Sequence, residues 1–147
     1  MITERMVHAL VGVVFWAGYL ALRKPNCSRM TTVAMLPVVM LGTWIPDWDL
    51  LLGIGFHRHP LSHSILPVLI LASATRSFSR FLIPVGLALG VSSHLLWDVI
   101  FYGNVLWIPG GSYDRLFLFA NSLALIFFAV WRENRTGRVG RSRPLRI

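Results

Sequence analysis

Five apolar runs separated by short polar connections leave this chain few ways to fold. They are about Val7–Leu22, Met30–Ile45, Ser64–Ala74, Phe81–Tyr102 and Leu116–Trp131. A hydrocarbon core about 30 Å thick needs about 20 residues of helix, with a range near 17–25. Within it the backbone must satisfy its own hydrogen bonds. Only 14% of residues are charged and 55% are hydrophobic, with a mean hydropathy of +0.63. A soluble domain carries about 25% charged residues. The expectation is an all-α, polytopic membrane helix bundle of about five transmembrane helices over 1–131, with a basic, disordered cytoplasmic tail over 132–147. The third run is short. It crosses if extended into its flanks, or else lies tilted, re-entrant or buried in protein. Pro37, Pro67 and Pro84 fall inside the runs and predict kinks.

The net charge is +8. Its placement favours a membrane surface over nucleic acid, because the arginines stand at segment ends and in the tail. With five crossings, eleven of the fourteen Lys and Arg residues fall on one side, leaving Arg5, Arg58 and Arg115 on the other. The positive-inside rule then puts the N-terminus outside and the C-terminus in the cytoplasm. Met1–Arg5 does not read as the start of a cleavable leader. The single cysteine, Cys27, allows no intramolecular disulfide and sits in a connection where thiols are commonly inert. Trp107 and Tyr113, in a turn-rich loop, read as interfacial anchors or as the border of a substrate entrance.

All five histidines and three of the six acidic residues fall in four short clusters. They are His8; Asp47 and Asp49 around Trp48; His57, His59 and His63 in His57-Arg58-His59-Pro60-Leu61-Ser62-His63-Ser64; and His94 with Asp98. Imidazoles and carboxylates are costly beside lipid, so they face an interior or a wet cavity. They are also the common ligands of zinc and similar divalent ions. In the five-span topology all four clusters reach the same face at similar depth, which predicts a membrane-embedded metal site. His94 and Asp98 share one helix face and can hold one ion, or merely hydrogen bond to each other. Asp47 and Asp49 repel unless a cation sits between them, and Asp49 is alternatively a helix N-cap. His59 and His63 share a face if a helix begins early, with Pro60 in its first turn. Arg58 suits an anion such as phosphate, or anchors a headgroup.

The order of these motifs resembles the YdjM-type family of membrane-bound metal-dependent hydrolases of bacteria and archaea. The resemblance covers roughly 5–110. It rests on His8, Ile45-Pro46-Asp47-Trp48-Asp49, the His57–Ser64 stretch and Ser93-His94-Leu95-Leu96-Trp97-Asp98. That family is distantly similar to zinc-dependent phospholipase C and related nucleases. The resemblance implies metal ligation by His8, Asp47, His63, His94 and Asp98, with Asp49 beside them, in a prokaryotic inner membrane. The family spaces its two loop histidines differently, so His57 or His59 can take the first of these roles, and Ser62 replaces its usual Thr.

The functional expectation is metal-dependent hydrolysis of a phosphoester or phospholipid-type substrate at the outer face. A divalent metal, zinc first, would be held by His8, Asp47, His57, His63, His94 and Asp98. Asp49 or His59 would serve as general base, and Arg58 would hold substrate charge. Membrane lipids, and possible further membrane subunits, are the expected partners. The competing expectation is a small non-catalytic subunit whose cluster is structural or binds a cofactor such as haem. A metal or proton carrier fits less well, because the inner halves of the runs lack polar residues.

Overall fold

The computed structural model describes residues 2–23, 28–75, 81–109 and 111–141, with side chains from 4 to 135. Every regular element among these residues is helical: α1 (Ile2–Arg23), α2 (Arg29–Trp44), α3 (Leu66–Ala74), α4 (Leu82–Phe101) and α5 (Ser112–Arg141). Two short 3-10 stretches, Pro46–Leu52 and Ile54–Phe56, follow α2. Residues 142–147 of the tail lie outside the described residues, as do Cys27, Lys24, Arg76 and Arg80.

The sequence of α4 explains its central place. It is apolar on every side, as a helix surrounded by protein can be. It is buried without a break from Pro84 to Leu95 and again at Asp98. Of its most apolar window 72% is buried, against 17% for α1 and 28% for α5. The outer helices turn Leu10, Val14, Val33, Leu116 and Phe127 outward instead. These exposed apolar surfaces belong to a chain whose α1, α4 and α5 are each long and apolar enough to cross a membrane. A fourth crossing is formed if α2 and the 3-10 stretch after it, bent by 45°, count as one span.

Between lipid-embedded helices there is no hydrophobic drive to associate, so close approach depends on small residues. The α2–α4 contact is of this kind. A β-carbon on Gly42 would lie 2.9 Å from the Leu87 carbonyl oxygen, and one on Gly90 would lie 2.7 Å from Gly42 Cα and collide with the Val39 carbonyl. Gly86, one turn before Gly90, instead makes room for the Val38 side chain, whose Cγ1 would lie 2.8 Å from an added β-carbon. On the other side of α4, the Ser92 and Ser122 hydroxyls lie 2.9 Å apart and 3.1 and 3.0 Å from each other's carbonyl oxygens, so their two protons bond within this set. These contacts tie α4 to α5 where lipid offers no alternative partner.

Three expectations change. The third apolar run yields only nine residues of helix, about 13.5 Å at the usual rise, too short to cross by itself. His63 precedes it in a turn closed by His63 N–H to the His59 carbonyl, 3.0 Å. Pro67 and Pro84 fall in the first turns of α3 and α4 rather than kinking them. A proline costs least there, because first-turn N–H groups have no helical partner. Finally, α5 continues as helix to Arg141, ten residues into the stretch expected to be disordered.

The chain ends of the helices sort cleanly. The start of α1 meets the end of α4 through Tyr102, whose hydroxyl donates to Glu4 at 3.1 Å. The far end of α1 meets α5, where Tyr19 and Arg23 both bond Glu133, at 3.0 and 3.1 Å. The His8 end and the Arg23 end of the bundle are therefore opposite ends. Because α4 runs toward the His8 end, His63 and Leu82 lie near opposite ends of the bundle.

Candidate metal centre

Four separate segments deliver ligand-type side chains to one end of α4. His94 and Asp98 lie one turn apart on that helix, with Nε2 and Oδ2 3.3 Å apart. From α1, the His8 ring stacks on His94 with centroids 4.0 Å apart and planes 12° from parallel. The bend after α2 brings Asp47 Oδ1 to 3.7 Å from His94 Nε2. The loop before α3 brings His63 Nε2 to 3.5 Å from Asp98 Oδ2. Two groups result, His8–His94–Asp98 and Asp47–His63–His94, each with ligand atoms within 4.8 Å of one another. They share His94.

Hydrogen bonds outside this cluster settle which nitrogen faces inward. His94 Nδ1 lies 2.8 Å from the Thr43 carbonyl oxygen. A carbonyl only accepts, so Nδ1 carries the proton and Nε2 presents its lone pair to Asp98 and Asp47. His63 Nδ1 lies 3.3 Å from Asp49 Oδ2 and 3.0 Å from Ser62 Oγ, which leaves Nε2 as the lone-pair nitrogen. That lone pair then points at the Asp98 carboxylate, acceptor against acceptor. His63 Nε2, Asp98 Oδ2 and His8 Nδ1 are buried with no hydrogen-bond partner among the described residues. Each such orphan costs about 1–3 kcal/mol. A divalent cation at either group would give such atoms a partner, and two imidazoles with one carboxylate are a donor set that zinc and its neighbours accept. The residues fit a metal.

Asp49 stands behind His63 and not in front of it. Its carboxylate is buried and accepts from Ser62 Oγ at 2.7 Å and from the His59 backbone N–H at 3.0 Å, with His57 Nδ1 3.4 Å away. A carboxylate holding the distal nitrogen of a metal-facing histidine is a common supporting arrangement. Burial pushes the His63 imidazole below its ordinary range, so it is neutral and free to ligate at pH 7.

His57 and His59 part company. His57 borders a cavity of about 60 Å³ that opens beside His8, Asp47 and Asp98, with Arg58 and Tyr102 on its other walls. His59 turns away: Nδ1 accepts from Leu61 N–H at 3.2 Å, and the ring meets Trp107 edge-on at 4.5 Å. Arg58 has φ 61, a left-handed backbone that a residue with a side chain adopts only at a cost. Its guanidinium lies over the Tyr102 ring, 4.2 Å from the centroid, and its Nε is buried without a hydrogen-bond partner. Partial burial and the bond to Glu4 hold the Tyr102 phenol above its ordinary range.

His8, Asp47, His63, His94 and Asp98 thus converge; His57 and Arg58 line the adjoining cavity; Asp49 buttresses; His59 lies outside. Sequence reading overlooked Thr43, whose carbonyl orients His94, and the glycines that bring Thr43 to it. The Gly86-x-x-x-Gly90 spacing in an apolar run was a readable signal for that approach. Nothing in the sequence marks Tyr102 as the platform for Arg58.

Residues 9–137 match the family described as Domain of unknown function (DUF5942), and the chain belongs to it. No curated protein matches the chain, and no solved structure does.

Proposed function

We propose that this chain is a membrane-embedded, metal-dependent hydrolase of a phosphoester or lipid-type substrate. The observation that carries the reading is the convergence of His8, Asp47, His63, His94 and Asp98 around buried atoms that lack hydrogen-bond partners, beside a cavity that holds Arg58. A divalent ion, zinc first, would supply a bound water with a pKa lowered toward about 7 and would polarise the ester. His63 and His94 offer Nε2, each fixed by a hydrogen bond at the other nitrogen. His57 is the proton acceptor in this reading. Its Nδ1 faces Asp49 at 3.4 Å, so Nε2 is left to take a proton at the cavity wall. Asp49 acts through His57 and His63 as their orienting carboxylate. Arg58 holds the substrate's negative charge. The site lies at the end of the bundle opposite Glu133, and the arginine-rich sequence beyond Glu133 makes that other end the cytoplasmic one. The site then faces the outer side of a prokaryotic inner membrane, where lipid substrates reach it laterally.

The test is metal content by mass spectrometry on the detergent-purified protein, wild type beside the His94→Ala/Asp98→Ala double variant. Zinc or manganese near one per chain, lost in the variant, is the expected result. Phospholipid and chromogenic phosphodiester hydrolysis is then followed on the loaded protein. A folded wild type that takes up no divalent ion overturns the reading and leaves the cluster as helix-to-helix hydrogen bonding in a membrane subunit.

A further inference from the structure

We infer that the cavity beside the metal centre is a subsite for a single monoanionic phosphodiester group gripped by Arg58. The inference deepens the metal-dependent reading and rests on it.

Size comes first. The cavity is partly open and about 60 Å³ in volume, room enough for a phosphate with the rest of the substrate extending outward.

Charge then chooses among phosphates. The walls carry three carboxylates, Glu4, Asp47 and Asp98, and two guanidiniums, Arg5 and Arg58. The lining alone is one charge negative and repels anions. A single divalent ion at either ligand group, one with Asp98 and the other with Asp47, reverses this to one positive charge. That matches a phosphodiester, which carries one negative charge. A phosphomonoester carries about 1.5–2 negative charges near neutral pH and is left over-charged. Glu4 is the residue that sets this balance, since it lines the cavity and is not among the grouped metal ligands.

The Arg58 geometry supplies the grip. Its backbone is held at φ 61, and Tyr102 props its guanidinium from below at 4.2 Å. Its Nε is buried without a hydrogen-bond partner, as a donor waiting for an anionic acceptor would be. Tyr102 is itself held by Glu4. A side chain this constrained loses little freedom on binding, and a planar fork engages two oxygens of one phosphate.

The full-length protein in phosphate-free detergent, loaded with Mn²⁺, tests this by ³¹P relaxation at pH 7.5. The probes are dimethyl phosphate, a monoanion, and methyl phosphate, mostly a dianion. The manganese-loaded wild type is expected to relax dimethyl phosphate at lower concentration than methyl phosphate. Arg58→Gln is expected to weaken dimethyl phosphate binding by about tenfold or more with Mn²⁺ stoichiometry unchanged. Should that variant misfold, Arg58→Lys keeps the charge without the fork and is expected to fall between. Glu4→Gln adds one positive charge and is expected to shift preference toward methyl phosphate. Equal binding of the two probes by the wild type, or binding indifferent to Arg58, overturns the inference. If Mn²⁺ binds and no phosphorus is relaxed, the subsite falls while the metal centre stands; if no Mn²⁺ binds, both fall. Displacement by dihexanoyl phosphatidylglycerol at lower concentration than by dimethyl phosphate identifies a lipid as the source of the diester, and the reverse order identifies a soluble one.

Discussion

The carbonyl oxygen of Thr43 lies 2.8 Å from Nδ1 of His94, and that contact decides which nitrogen of His94 serves the cluster. It joins α2 to α4 at the depth where two potential ligand groups share His94. The contact exists because Gly42 and Gly90 let the two helices approach to backbone distance.

Gly90→Val should therefore damage a site it does not touch. The added side chain meets the Val39 carbonyl and Gly42, so α2 must move and take Thr43 with it. A loss of about 1–3 kcal/mol in stability is expected from overpacking alone, together with weaker metal binding. Thermal unfolding in detergent and chelator competition read the two effects. Unchanged metal affinity in a destabilised protein would separate helix packing from the orientation of His94.

Asp49→Asn should weaken metal binding without abolishing it. The carboxylate touches His63 Nδ1 from behind, at 3.3 Å, and orienting partners of this kind are worth about 10–100-fold in affinity. Asp98→Asn, which alters an oxygen buried among the ligand atoms, should cost more. Metal dissociation constants for the two variants, measured against a common chelator, rank them. The opposite ranking would make Asp49 a ligand.

His57→Ala and His59→Ala should differ sharply although the residues are two apart. His57 borders the cavity and His59 packs on Trp107. Hydrolysis should fall by about 10²–10⁴ in the first, the usual contribution of a general base, and change little in the second, with metal content retained in both. Equal losses would remove His57 from the role of proton acceptor.

Metal loading should resist mild acid. Ligation requires neutral imidazoles, and protons compete as pH falls through a ligand's folded pKa. The ordinary imidazole value is about 6.5, and burial sets His63 below it. The shift is downward, so His63 favours the folded state above about pH 6.5, and that contribution is lost as pH falls through its lowered folded value. Metal retained at pH 6.5 and released on further acidification is the expected profile. Release already complete at pH 7 would contradict it.

The sequence alone carries the helical, strongly apolar character of the chain and the short list of residues able to do chemistry. Apolar runs near bilayer length dictate helices, and imidazoles and carboxylates in such runs must face inward, so His8, Asp47, His63, His94 and Asp98 could be placed at one end of a bundle by counting residues. Tertiary structure decided what counting cannot reach. His57 and His59 have the same chemistry and nearly the same address, yet the single turn from His59 to His63 sends one ring to the cavity and the other to Trp107. Asp47 and Asp49 differ by two positions in a 3-10 stretch, which puts one beside His94 and the other behind His63. The third apolar run could not announce that it yields only nine helical residues, because its proline marks a start and not a kink. Each of these depends on contacts between segments far apart in the chain, and the shared depth of the clusters constrains which segments meet but not which atoms touch.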